Sequence, residues 1–348
     1  MTDANASTAS DWLLIETIGE SEPLIVAKGL DRQSRKLRNT FRGALMVAAE
    51  NLVRACVTSG DEQRESVEGA KFGDSAIAIP VHGANKAVVA VQLWIGFKAQ
   101  PPTTPPEIGV WDWELDVDDV PPRLLMSPAV LRIFGVSEHT VDRSVFGPAD
   151  FFTRFERLSD IVRMLNLLHI SKPGEIDDGT FIARTAESRE LKEIRYFQRC
   201  VDTDAGRRLR GLSWDITSLT DAKQLQTAVL DTYLVGALAG LQGTFGAVGD
   251  MRYPNALYII KWLTPHVPGI GHGVSTGQTP GIHPDDWPQI HQWMSEVRDG
   301  PVSGLVRARK GGGGYLKMRF SARLLDPAVS DTIGLALFYP DGIETVQD

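Results

Sequence analysis

The sequence predicts an α+β protein of three serial units, each an antiparallel sheet with flanking helices. Three observations lead there. The chain has 348 residues, too many for one ordinary hydrophobic core, so two or three domains are the natural expectation. Gln100-Pro-Pro-Thr-Thr-Pro-Pro-Glu107 is a run through which neither a helix nor a central strand can pass. Leu212, Trp214 and Ile216 alternate with polar positions at strand period, and a polar, helix-forming stretch follows from Asp221.

Composition narrows the class. The chain is 43% hydrophobic and 23% charged, values typical of globular protein and unlike those of a disordered chain. A formal charge of -8 argues against a dedicated nucleic-acid binder, which needs a basic field to displace counterions. Cys56 and Cys200 are too far apart in sequence for a disulfide framework, so two reduced thiols in a reducing cytoplasm are expected. Residues 1–10 are small and polar, unlike a signal peptide. Between Asp231 and Asp250 no charge occurs, and Gly236-x-x-x-Gly240 has the spacing of close-packed membrane helices. Thr232, Gln242, Thr244 and five glycines lower the mean hydropathy of that stretch. Packed helix and turn is therefore predicted in place of a membrane span.

The first unit covers residues 11–99. Residues 35–58 have helical periodicity, and residues 75–81 and 87–95 read as a strand pair around Gly83-Ala-Asn85. The proline-rich linker occupies 100–107. The middle unit, 107–221, opens with a strand over 108–116, broken by Pro121-Pro122 and Ser127-Pro128. A short helical turn over 130–135 closes on Gly135, and a long helix is predicted over 149–168. Strands at 180–184, 191–200 and 209–216 complete the unit, with Leu212, Trp214 and Ile216 expected to face that helix or the interior.

The third unit, 222–345, starts with a linker helix. Asp221 is its N-cap, and Leu225, Val229 and Leu230 form its stripe. His283-Pro-Asp-Asp-Trp287 opens a helix reaching Val297, because its acidic side chains favour the exposed N–H groups of a helix start. Strands follow at 302–309, 315–325 and 333–339, the last ending at Pro340-Asp341-Gly342. This unit repeats the second half of the middle unit's plan.

Gly109-x-Trp111-x-Trp113, Leu131-x-x-Phe134-Gly135 and the Asp215-Ile-Thr217 ending, in that order, resemble the PAS sensor-domain family. The His-Pro-Asp-Asp helix entry makes the third unit similar to PAS as well, although it lacks the Asp-Ile-Thr ending and an outgoing helix. In the first unit, Ile79-Pro-Val81, a turn, and Val88-Val-Ala-Val-Gln-Leu93 resemble the closing hairpin of GAF domains, with a degenerate PAS domain as the alternative. The serial order is similar to that of triple sensor-domain proteins of mycobacteria and related actinobacteria. The resemblance implies a non-enzymatic cytoplasmic signalling protein that binds a small ligand, a protein partner or both. Output would pass through an unidentified effector protein, and a homodimer is open. The alternatives are a haem- or flavin-based redox or oxygen sensor and a ligand-free dimerisation scaffold.

Trp111, Trp113, Phe134, Phe197 and Trp214 are the candidate ligand-binding residues, since aromatic walls suit an apolar or planar ligand; a filled aromatic core is the alternative. Arg184 and Arg195 either pair an acidic ligand or face water. Gly311-Gly-Gly-Gly314 lacks the Gly-Lys-Ser/Thr of a phosphate loop and reads as a hairpin turn. His266, His272, His283 and His291 match no standard metal spacing, so no metal is expected. Neither cysteine has the Asn-Cys-Arg context of flavin photochemistry, and no cofactor is expected. No nucleophile elbow, P-loop or kinase loop occurs, so no catalytic residue is assigned. Arg307, Arg309, Lys310, Lys317, Arg319 and Arg323 form a basic run, either solvated or meeting an acidic partner or anionic lipid.

Overall fold

In a computed structural model of the chain, the described residues are 12–19, 22–67, 73–99, 102–116, 122–137, 145–253, 256–271, 281–325, 327–328 and 330–346. They build three antiparallel sheets. The first holds β1 (Leu13–Glu16), β2 (Leu24–Lys28), β3 (Asp31–Lys36), β4 (Gln63–Ser66), β5 (Ser75–His82) and β6 (Val88–Gly96), in the order β3-β2-β1-β6-β5-β4. The second holds β7 (Gly109–Glu114), β8 (Arg123–Met126), β9 (Val145–Phe146), β10 (Ile176–Arg184), β11 (Leu191–Thr203) and β12 (Gly206–Asp215), in the order β10-β11-β12-β7-β8-β9. The third holds β13 (Phe245–Tyr253), β14 (Ala256–Trp262), β15 (Val302–Arg309), β16 (Tyr315–Leu324) and β17 (Ile333–Val346), in the order β14-β13-β17-β16-β15. Without the edge strands β3 and β9, all three sheets share one order: second, first, fifth, fourth, third. The repeat seen in part from the sequence thus extends over all three units.

The helices are α1 (Leu37–Thr40), α2 (Ala44–Ser59), α3 (Pro128–Ile133), α4 (Pro148–Phe152), α5 (Leu158–Ile170), α6 (Ala222–Ala228), α7 (Leu230–Leu241) and α8 (Trp287–Glu296). α2 buries Leu45, Ala49, Leu52, Val53 and Cys56 on one face and stops at Gly60, whose left-handed φ of 74° forms its cap. Among the described residues no helix is long and apolar enough to cross a membrane.

Four element expectations are corrected. Residues 35 and 36 belong to β3, and the main helix of that segment starts only at Ala44. The helix expected over 149–168 is two helices, because the chain between them leaves the axis to pair with β10: Phe155 bridges Ala183, and Glu156 N–H donates to Ile182 O at 2.8 Å. The uncharged stretch after Asp231 is α7 followed by β13, a strand that helix and turn did not anticipate. The last strand continues beyond Tyr339 to Val346 by shifting register opposite Met318, which absorbs the proline in a bulge.

The sheets and helices stack in layers. α2 covers one face of the first sheet. The other face, with Leu14, Ile18, Val26, Val81 and Val89, packs on Phe197, Val201, Leu212, Trp214 and Ile216 of the second sheet. The second sheet's opposite face carries Trp111 and Trp113 against α3, α4 and α5, and that core continues into Val248, Tyr258, Ile260 and Ile333 of the third unit. Beyond the third sheet lies α8. The expectation that Leu212, Trp214 and Ile216 face the long helix or the interior is therefore corrected. Strand alternation puts them on the sheet face that meets the first unit.

Polar contacts tie the layers. Arg199 pairs with Glu16, their side chains 6% and 1% exposed. Leu30 O accepts from Arg195 Nη1 at 3.0 Å and from Trp214 Nε1 at 3.3 Å. The proline spacer is pinned to the first sheet: Trp12 Nε1 donates to Thr103 O and Gln92 Nε2 to Pro106 O, both at 2.7 Å. Between the middle and third units, Lys261 Nζ donates to Thr153 O at 2.9 Å, and Leu158 N–H donates to Thr232 Oγ1 of α7 at 3.2 Å.

Candidate functional site

The aromatic residues named from the sequence do not line one cavity. Trp111, Trp113 and Phe134 sit in the packed core of the middle unit. Phe151 meets Trp111 edge-on at 5.3 Å between ring centroids, and Phe155 stacks on Phe181 at 4.1 Å. Gly211 is glycine because the Trp111 ring lies across it: a Cβ there would be 2.0 Å from Trp111 Nε1. Phe197 and Trp214 lie on the other face of the sheet, against the first unit. Arg184 pairs with Glu156 at 3.3 Å and bonds Tyr233 of α7, and Arg195 is held by Leu30. Both arginines are occupied in joining units.

One open space lies in the third unit. A cavity of about 460 Å³ lies between the sheet and α8. Leu257 and Ile259 of β14, Ile290, Trp293 and Met294 of α8, Val306 of β15, Met318 and Phe320 of β16 and Ala336 and Phe338 of β17 form its wall. Several of these, Ile259, Phe320 and Phe338 among them, are only half-buried although they lie in the middle of a folded unit. That volume is within the range of small-molecule sites, and thioethers among the aromatic rings let such a wall adapt to its occupant.

Residue size accounts for the cavity. β13 holds the place in the third sheet that β7 holds in the second. In the middle unit Trp111 and Trp113 fill the space beneath their sheet, paired with Gly211 and Leu209. In the third, Ala247 and Gly249 pair with Ala336 and Gly334. On β15, Gly304 admits the Trp293 ring, to which a Cβ would approach within 2.1 Å. The signal was present in the sequence as small residues at alternate strand positions opposite a single ten-residue helix. It was missed because β13 and β14 were not recognised as strands.

Charge is kept out of the interior. Asp250 on β13 is 2% exposed, and although its strand borders the cavity there, its carboxylate turns toward α5 of the middle unit. Its Oδ1 accepts from Arg252 N–H at 3.1 Å, and its Oδ2 is 3.6 Å from His169 Nε2 of α5. Burial pushes this carboxyl up to about 7. Burial likewise lowers the Lys261 ammonium, which sits beside Glu156 at 3.7 Å. Both groups lie at the junction with the middle unit.

Of the histidines, His283 caps the turn before α8, its Nδ1 accepting from Asp285 N–H at 3.3 Å. Its neighbour Asp286 binds Arg307 at 2.6 Å, fastening the helix start to β15. His266 lies at the solvent end of the cavity wall, His291 is exposed on α8, and His272 lies outside the described residues. Among the described residues no cluster of three or more potential metal ligands occurs. Gly311–Gly314 form the β15–β16 turn, with positive φ at Gly312, Gly313 and Gly314.

Residues 11–106 match a family model described as Rv3651-like, N-terminal. In structure the chain is similar to an uncharacterised protein from Mycobacterium tuberculosis, with a TM-score of 0.70 and 19% identity over 95% of this chain and 96% of that one. A sensory box histidine kinase/response regulator from Burkholderia thailandensis aligns over 39% of this chain and 92% of its own, at 19% identity and a TM-score of 0.26. A Rhodobacter sphaeroides LOV protein aligns over 39% of this chain and 72% of its own, at 18% identity and a TM-score of 0.25. No curated protein matches the sequence. The mycobacterial likeness shows a shared fold along nearly the whole chain; the two weaker ones carry no argument.

Proposed function

We propose that this protein is a non-enzymatic cytoplasmic sensor in which a small ligand, held in the third unit's cavity, is read out by another protein. The cavity carries this reading. It is an apolar space of about 460 Å³, and one of its walls, β13, turns the Asp250 carboxylate toward His169 of the middle unit. An occupant that moves β13 alters that junction, because a ligand shifts a protein toward the state it binds better. The middle and third units are read as PAS-type domains, and the first as GAF-like or PAS. The strand order common to all three supports one ancestral sensor plan, though fold alone does not fix function.

α7 is the natural output element of this reading. Its inner face meets both neighbours: Tyr233 Oη donates to Glu156 at 2.6 Å, and Gly236 lies against Leu263 O. Its outer face shows Leu230, Leu234, Leu238 and Leu241, which are 52–84% exposed. An effector protein or a second copy of the chain would meet the protein there. Native mass spectrometry of full-length protein purified from its own host tests the reading. A bound small molecule released on denaturation is expected, with hydrogen exchange in 230–241 and 245–253 slowing when it is restored. Ligand-free protein that also fails to bind hydrophobic probes overturns it. So does reproducible hydrolysis of nucleotides, phosphoesters or acyl esters that a single His or Asp substitution abolishes.

A further inference from the structure

We propose that the cavity takes an amphiphilic organic acid, with the hydrocarbon body inside and the anionic head at the mouth against Arg309 and Lys310; this rests on reading the cavity as a ligand site. The mouth is identified by exposure. The exposed wall residues are His266, Gly269, Gly271, Arg309 and Gly311, all from two segments joined by Gly311 N–H donating to Gly269 O at 2.9 Å. The remaining wall is buried or half-buried and almost wholly apolar.

Two cations stand at this mouth without an acid. Arg309 lies over the Tyr315 ring at 6.0 Å, and Gly281 leaves room for it, since a Cβ there would be 2.6 Å from its Nε. Lys310 runs along Gly269, where a Cβ would be 3.1 Å from its Cγ. Among the described residues no carboxylate lies within ion-pair distance of either, whereas Arg307, two positions earlier, is matched to Asp286 at 2.6 Å. In a chain of net charge -8, adjacent unmatched cations beside an apolar cavity make a local positive field that selects anions. Inside, Asp250 offers no partner, because its carboxylate faces Arg252 and His169. A ligand charge therefore has one favourable place, the rim, as buried unpaired charge is strongly disfavoured.

The test titrates delipidated full-length protein with dodecanoate, dodecan-1-ol and dodecyltrimethylammonium by calorimetry. Dodecanoate is expected to bind about five-fold more tightly than the alcohol, the scale of a solvent-exposed ion pair, and the cation most weakly. The preference should shrink with added salt. The double variant R309A/K310A should bind acid and alcohol equally while its alcohol affinity stays unchanged. Ala336→Leu, which fills the cavity, should weaken both; if a thermal melt shows this variant unfolded, Ala308→Leu takes its place. Equal acid and alcohol affinities in the unaltered protein overturn the head-group assignment alone, as does a preference that survives R309A/K310A. Absence of binding by all three probes, or binding that survives a folded cavity-filling variant, overturns the cavity reading with it.

Discussion

Asp250 Oδ2 lies 3.6 Å from His169 Nε2, across the boundary between the third sheet and helix α5 of the middle unit. The carboxylate is buried, and His169 Nε2 and the nearby Tyr253 Oη are both buried without a hydrogen-bond partner. Buried polar groups of this kind are the exception in folded proteins. Here they gather behind a strand whose other side walls the cavity, so a small displacement of β13 changes their environment at once.

That junction should make stability depend on pH. The Asp250 carboxyl is raised by burial to about 7 from an ordinary value of 3.8. A carboxyl raised in the folded state favours folding at low pH, and the contribution is lost as pH rises through the folded value. Asp250 should thus cost stability progressively from about pH 4 to above pH 7. The groups facing it are His169, Arg252, Tyr253 and its cross-strand partner Tyr258. Asp250→Asn should raise the melting temperature at pH 8 more than at pH 5, as calorimetric scans at both values would show. An equal effect at the two values contradicts the assignment.

The Glu16–Arg199 pair is buried between the first two sheets, and desolvation raises the Glu16 carboxyl despite the neighbouring guanidinium. Removing one member of such a pair leaves an uncompensated charge and costs about 3–5 kcal/mol, while an apolar replacement of both is often neutral. Glu16→Leu should therefore destabilise strongly, and the double variant Glu16→Leu/Arg199→Met should recover most of the loss. Urea denaturation of both variants measures this.

The proline spacer between the first two sheets should resist proteolysis. It has the composition of an exposed linker, but Trp12 and Gln92 hold its carbonyls, and the sheets on either side share an apolar core. Cleavage at 102–107 under native conditions should be slow, and the pieces should stay associated until denatured. Rapid release of a folded fragment beginning near residue 107 would show the contrary.

How much could be read in advance depended on where side-chain volume lies. The middle unit was legible because Trp111, Trp113 and Trp214 mark strands by their size and alternation, and Asp215-Ile-Thr217 marks an exit. Assigning those aromatics to one pocket failed, since both faces of that sheet are buried and residue type alone cannot tell the face that meets α5 from the face that meets the first unit. In the third unit the cavity strands were hidden by their own composition. Phe245-Gly-Ala-Val-Gly has too little volume and too much glycine to read as strand, and those small residues are what open the space.

The strand carrying Trp214 also separates two kinds of damage. Trp214 is buried among Leu14, Val26 and Val89 of the first unit, and its Nε1 donates to Leu30 O. Trp214→Ala should cost about 3–5 kcal/mol, lower the melting temperature sharply and speed hydrogen exchange in β2. Asp215, its neighbour, points the other way. Its Oδ1 accepts from Thr217 N–H at 2.9 Å and from the Thr217 hydroxyl, and its Oδ2 is 3.0 Å from Lys192 Nζ. This turn directs the chain from the sheet into α6, so Asp215→Ala should cost only about 1 kcal/mol. Its effect should appear as faster exchange across 216–232, with β2 unaffected. If Asp215→Ala unfolds the protein while Trp214→Ala leaves its melting temperature unchanged, the packing of the first two sheets is not the one described.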